Sequence, residues 1–240
     1  MNRMLGIIIP YHSFFEFLEF QIPNLQKHIQ VPFRVYIVDN SLENTIKYHG
    51  KYLEQIKYFF CFAKGSPSHR HQETVNLGLS LAWEHCDAFL IFDNDMIFLN
   101  NWTPPPCVAY HPQRRGTLEY GWLNLFYFPK MECFHTIDFA NCPVTRERTD
   151  SGGSIGLHLP SIKNKMVINY SEPIDPYFPE YCEKYRALAK QYNVGPWMDV
   201  FSFNGTDIFH FRALSNWTKY PEEFQLAKKK LILDTMLSLK

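Results

Sequence analysis

No apolar run in the 240 residues reaches the ~18 that a membrane-spanning helix needs, which excludes an integral helical membrane protein. Charge of one sign is also missing. Lys plus Arg number 24 and Asp plus Glu number 24, a balance with no electrostatic footprint for a long polyanion, so nucleic acid is not an expected partner. The six cysteines, Cys61, Cys86, Cys107, Cys133, Cys142 and Cys182, form no CxxC pair and no tight framework, and reduced thiols in a cytosolic setting are expected. The first strand signal begins within a few residues of Met1 and leaves no room for a signal peptide, so a soluble cytoplasmic protein is expected. The Asn-x-Ser/Thr triplets at Asn101, Asn169, Asn204 and Asn216 then carry no weight as glycan acceptors. There is no internal repeat, no low-complexity tract and no Gly- and Arg-rich phosphate loop near the N-terminus. Aromatic residues, in contrast, make up 17% of the chain, rings that suit core packing and stacking on sugars or bases alike.

The hydrophobic pattern alternates strand with helix. Leu5 to Pro10 is a β-branched run, and Phe14, Leu18, Ile22, Leu25 and Ile29 then recur at helical spacing. Phe33 to Val38 and Tyr58 to Ala63 repeat the strand signal, Lys64 to His71 reads as a polar loop, and Gln72 to His85 as a helix with Val75, Leu79 and Ala82 on one face. The Phe89 to Phe98 run follows as a buried strand. This order predicts an α/β fold: a mostly parallel central sheet flanked by helices, in a single domain over 1–240. Its first hundred residues form one half; residues 101–240, broken by Pro104-Pro105-Pro106, form an elaboration on it. There Asn204-Gly205 between Val200–Phe203 and Thr206–Phe211 signals a hairpin, and Pro221-Glu222-Glu223 opens a last helix. Lys228-Lys229-Lys230 on that helix reads as a solvated face, with an acidic membrane surface as the minority alternative.

Ligands of parallel sheets bind at the carboxyl ends of the strands. Three polar clusters fall there: Pro10-Tyr11-His12, Asp39-Asn40-Ser41 and Asp93-Asn94-Asp95. The last places two carboxylates, two residues apart and so expected on one side of a strand, at the end of an apolar run. Hard oxygen ligands in that position suit Mg²⁺ or Mn²⁺ holding a diphosphate, although an Asp-Asn turn that only stops the strand has the same composition.

Ile7-Ile8-Ile9-Pro10-Tyr11, Val38-Asp39-Asn40-Ser41, Asn76-Leu77-Gly78 and Asp93-Asn94-Asp95, in that order and spacing, resemble the GT-A fold nucleotide-sugar glycosyltransferases, in particular compact family 2-like enzymes and their viral relatives. The resemblance covers the first hundred residues. It implies a Rossmann-like GT-A catalytic domain whose N-terminal half binds the nucleotide and whose C-terminal half binds the acceptor. It further implies a metal-dependent glycosyltransferase that moves a sugar from a UDP- or GDP-sugar to a glycan or other hydroxyl acceptor, with inversion.

Residue by residue, the resemblance implies that Pro10 and Tyr11 line the base pocket with the Tyr11 face open for stacking, and that Asp39, with Asn40 beside it, accepts from base or ribose. Asn76 and Gly78 would lie near the nucleotide, Asp93 and Asn94 at the ribose end of the DxD motif, and Asp95 would be the primary metal ligand with Asp93 its neighbour. His210 would be a second ligand and Arg212 a phosphate contact, with His69 and His71 as weaker phosphate candidates. Asp150, ahead of Gly152-Gly153, is the candidate base, with Asp138, Asp175 and Glu180 in reserve. Each has a bland alternative: a packed Tyr11, a turn at Asp39, an N-cap at Asp150, a hydrogen-bonded core His210. A sugar nucleotidyltransferase and a non-catalytic nucleotide or carbohydrate binder on the same fold are the rival functions.

Overall fold

The computed structural model describes residues 3–12, 14–41, 55–115, 117–140, 152–171, 176–194, 198–211 and 220–238. Its elements, in chain order, are β1 (Leu5–Tyr11), α1 (Phe15–His28), β2 (Phe33–Asp39), β3 (Ile56–Phe60), α2 (Pro67–Ala82), β4 (Ala88–Phe92), β5 (Met96–Phe98), β6 (Val108–Arg115) and β7 (Leu118–Pro129). These are followed by α3 (Glu132–His135), α4 (Ile155–His158), β8 (Lys165–Val167), β9 (Asn169–Ser171), α5 (Pro179–Gln191), β10 (Asp199–Phe203), β11 (Thr206–His210) and α6 (Glu222–Ser238). The chain forms two compact units. The first takes residues 1–11, 29–93 and 103–169, the second 12–28, 94–102 and 170–240. Residues 103–169 return to the first sheet through β6, β7 and β8.

The first unit holds a seven-stranded sheet in the order β3-β2-β1-β4-β7-β6-β8. β3, β2, β1 and β4 run parallel, which is the expected α/β architecture; β7 is antiparallel to both β4 and β6, and β8 is parallel to β6. Every residue of β1 and β4 is buried, which is why these strands read as unbroken apolar runs. α2 covers β1 and β2 with Val75, Leu79 and Ala82 turned inward.

The helix begins five residues before the expected start. Ser66 caps it, its Oγ accepting from the His69 N–H at 3.2 Å, and Pro67 occupies the first turn. His69 and His71, expected in a loop, therefore lie on the helix. Gly78 lets α2 approach the sheet: a Cβ there would stand 2.6 Å from Ile8 Cγ2 and 3.2 Å from Val38 Cγ2. Ile8 is β-branched and fixed in a strand, so the overlap cannot be relieved by a rotamer change. Gly78→Ala gains about 1 kcal/mol of helix propensity but overpacks at a cost of about 1–3 kcal/mol, and a net loss is expected in urea unfolding.

The second unit holds a four-stranded sheet, β5-β11-β10-β9. β10 and β11 pair antiparallel across Asn204 and Gly205, both at positive φ (49° and 83°), as their Asn-Gly sequence predicts. Helix α1 serves the free edge of β5. Asn24 donates to the Phe98 carbonyl at 2.8 Å and accepts from its N–H at 2.8 Å, and Gln21 donates to the Met96 carbonyl at 2.9 Å. Phe17, Phe209, Phe211, Tyr181 and Tyr185 form the core of this unit with Phe224 and Ile232 of α6.

Two readings of the sequence are corrected. Residues 89–98 are not one strand: β4 ends at Phe92 in the first sheet, β5 begins at Met96 in the second, and 93–95 is turn backbone to which strand alternation does not apply. The lysine run is not a uniformly solvated face, because Lys228 is 1% exposed. Among the described residues, no helix is long and apolar enough to cross a membrane, and Cys61, Cys86, Cys107, Cys133 and Cys182 are free thiols.

Candidate functional site

In the first unit the polar residues gather at the carboxyl edge of the parallel strands. β1 and β2 stay in register to Tyr11 and Asp39, and the Asn40 N–H donates to the Tyr11 carbonyl at 2.8 Å. Pro10 lies beyond Ile8, the last β1 position in register with β4, where a missing N–H is tolerated. Asp39 is buried and accepts from the Tyr58 hydroxyl and, at 2.7 Å, from the Ser41 N–H, the second an Asx turn. Burial, and after it the Asp39 carboxylate, pushes the Tyr58 phenol well above its usual range. Tyr11 is 1% exposed, so its ring offers no open stacking face in this structure. Asn40 is buried beside it, and its Oδ1 has no hydrogen-bond partner among the described residues.

α2 leaves β3 and leads into β4, which puts its first turns at the same edge. His71 Nε2 lies 2.9 Å from Asp93 Oδ1, and Asn124 of β7 holds the other Asp93 oxygen while its carbonyl accepts the Asp93 N–H at 3.0 Å. Asp93 is thus a fastened carboxylate in which one helix and one strand meet.

Between His69 and His71 is Arg70, only 8% exposed, with Nε and Nη1 buried and unpartnered among the described residues. A guanidinium carries its charge at any physiological pH, and burying it without a counter-charge is costly. Asn76 and Gly78 have structural employment instead: the Asn76 amide donates to Asp138 Oδ1 at 2.8 Å and accepts from the Phe139 N–H at 3.0 Å, and Gly78 is the contact point of helix and sheet. His69 pairs along the helix with Glu73 at 3.7 Å.

The second unit holds Asn94, Asp95 and His210. Asn94 is a buried turn residue. The carbonyl of Asp95 accepts the Phe211 N–H at 2.9 Å, extending the β5–β11 pairing. His210 stands between two carboxylates: Nδ1 is 3.0 Å from Asp199 Oδ2 and Nε2 is 3.3 Å from Asp95 Oδ1, with all three residues at most 4% exposed. Lys228 completes the cluster, its Nζ donating to the Phe211 carbonyl at 3.5 Å and lying 5.7 Å from the Tyr185 ring centroid.

Burial opposes every charge here, and the neighbours decide the outcome. Burial would lower His210, but Asp95 and Asp199 lift it to about 9. Burial would raise Asp95, yet His210 and Lys228 hold it below the usual carboxylate range. For Lys228 burial wins over Asp95 and Asp199, lowering it to about 7.

Asp150, Arg212 and Asp175 lie outside the described residues; Glu180 is exposed on the first turn of α5. Sequence reading passed over Arg70, Asn124 and Asp199, and took Lys228 only as part of a solvated lysine run. A register count from Asn204-Gly205 would have found Asp199, because the hairpin sets it directly opposite His210.

No protein-family model matches the chain, and no curated protein does. Solved structures of S. aureus TarS 1–349 are similar to it in part. The structure without a ligand in its description aligns at 22% identity over 40% of this chain and 28% of TarS, with a TM-score of 0.32. The complex with UDP gives 21%, 41%, 29% and 0.33, and the complex with UDP-GlcNAc 22%, 40%, 27% and 0.32. The chain spans less than a third of the length of those structures.

Proposed function

We propose that the chain is a glycosyltransferase that binds a nucleoside-diphosphate sugar at the carboxyl edge of its parallel sheet and passes the sugar to an acceptor hydroxyl by direct displacement, with inversion. The observation that carries this reading is Arg70: a buried guanidinium whose Nε and Nη1 meet no acceptor among the described residues, on the first turns of a helix on which the adjacent His71 touches Asp93. Such a group calls for an anionic ligand, and a phosphate oxygen satisfies its fork geometry. Asn40 Oδ1 at the same edge, without a partner among the described residues, would accept a donor from base or ribose, and Asp39 fixes that corner.

A divalent cation, Mn²⁺ or Mg²⁺, fits the second unit. Asp95 Oδ1 and His210 Nε2 are 3.3 Å apart, near the about 3 Å between adjacent ligands of an octahedral ion with bonds of about 2.1 Å. Among the described residues no group of three His, Cys, Asp or Glu stands close enough to hold an ion, and Mg²⁺ commonly takes only one or two protein donors with water and phosphate beside them. When bound, such an ion would supply Lewis-acid stabilisation of negative charge on an oxygen ligand. Asp93 at the first position of the motif acts differently, fastened to His71 and Asn124 as an orienting carboxylate.

Thermal denaturation with UDP or GDP, with and without Mn²⁺, tests binding, because a ligand of the native state raises Tm. Stabilisation that needs nucleotide and metal together is expected, and Asp95→Ala should remove the metal-dependent part. Incubation with a panel of nucleotide sugars without acceptor should release nucleoside diphosphate slowly. Binding with no turnover of any sugar would leave a nucleotide binder and sink the transferase reading.

A further inference from the structure

The second unit contains a carboxylate that the DxD motif does not include. Asp199 is 1% exposed, stands opposite His210 in the β10–β11 register, and its Oδ2 is 3.0 Å from His210 Nδ1. Register and hydrogen bond together leave the imidazole little freedom. Its strand fixes the Cα, Asp199 engages the near nitrogen, and the far nitrogen faces Asp95 Oδ1 at 3.3 Å.

We infer that Asp199 is the positioning residue of a cation seat formed by His210 Nε2 and Asp95. By accepting the Nδ1 proton it leaves Nε2 as the nitrogen that gives up its proton when an ion binds, and it holds the ring plane toward Asp95. A ligating histidine commonly gives its second N–H to such an acceptor, which orients the ring and raises its basicity. Here the acceptor is a buried carboxylate on the adjacent strand, so orientation is built into the hairpin and does not depend on substrate. Asp199 itself lies behind the ring, on the side away from Asp95, and acts through His210. The inference rests on the metal reading of this site.

Mn²⁺ affinity of the metal-free protein, followed by the electron paramagnetic resonance signal of free Mn²⁺, separates the two. In the wild type a saturable site is expected; its absence with and without UDP would overturn the metal reading and the inference with it. Asp199→Asn keeps an acceptor of the same shape but removes its charge and permits the amide to turn. Its affinity should fall about 10- to 100-fold with far-UV dichroism unchanged, and Asp199→Glu should recover part of the loss. Wild-type affinity in Asp199→Asn would overturn the positioning role while leaving the metal site standing. Nitrogen-15 spectra of the His210 ring in the Mg²⁺-saturated wild type test it without any variant: a proton on Nδ1 is expected, and a proton on Nε2 would overturn the assignment.

Discussion

Replacing Arg70 by Met should make the ligand-free protein more stable and at the same time destroy its affinity for nucleoside diphosphates. The two effects share one origin. Arg70 is 8% exposed and its Nε and Nη1 meet no acceptor among the described residues, so the folded state carries a desolvated charge that the unfolded chain hydrates fully. An unbranched thioether fills much the same volume with no polar atom to satisfy. A gain of about 1–4 kcal/mol in urea unfolding is expected, by analogy with buried ionic groups exchanged for apolar ones. The loss in binding follows from the same guanidinium being the charge that meets phosphate. Removing it should cost about 2–5 kcal/mol, roughly a 30- to 5000-fold rise in Kd for UDP or GDP by calorimetry. A variant whose stability and affinity both match the wild type would show that Arg70 has a protein partner and no anion to receive.

The charged cluster of the second unit should leave the stability of the metal-free protein nearly independent of pH between 7 and 9, and Lys228→Met should reveal a steep dependence beneath. His210 is raised from its ordinary value to about 9. Its stabilisation is fully present below the unfolded value of ~6.5 and is lost as pH rises through 9. Lys228 is lowered to about 7, so between pH 7 and 9 the native state has shed a proton that the unfolded state keeps. In that window the native protein holds the histidine proton and lacks the lysine proton, while the unfolded chain does the reverse. The counts are equal and the slope vanishes. Without Lys228 only the histidine remains, and stability should fall by about 3 kcal/mol between pH 6.5 and 9 before levelling. The difference between the wild-type and Lys228→Met curves cancels all other titrating groups. Parallel curves would mean that Lys228 and His210 do not compensate each other.

The parallel core was legible because its strands are buried on both faces, so β1, β2 and β4 read directly as apolar runs. The hairpin was legible because Asn-Gly has few other uses between β-formers. The split of residues 88–98 was not, since Met96–Phe98 is as apolar as Ala88–Phe92 and composition cannot say that a strand changes sheets. Nor was the start of α2, where Ser-Pro-Ser-His-Arg-His looks like loop until Ser66 is recognised as a cap.

At the candidate site the sequence reading paired Asp95 with His210, and the structure brings these two side by side. Tyr11, Asn76 and Gly78 lie in structural settings the motif did not foretell, because a motif records which residues recur and not which contacts each one makes. Lys228 was hidden in a run of three lysines whose middle and last members are more exposed. Arg70 was hidden because burial is a property of space alone.

The path of the chain has a consequence for synthesis. Residues 12–28 and 94–102 belong to the second unit, yet β10, β11, α5 and α6 that complete it are encoded after residue 170. On the ribosome, Phe17 of α1 and Met96, Ile97 and Phe98 of β5 must wait for those late partners with their apolar surfaces uncovered. A nascent chain that stalls before β11 emerges would present β5 with no strand to pair with, a ready substrate for holdase chaperones and a nucleus for aggregation.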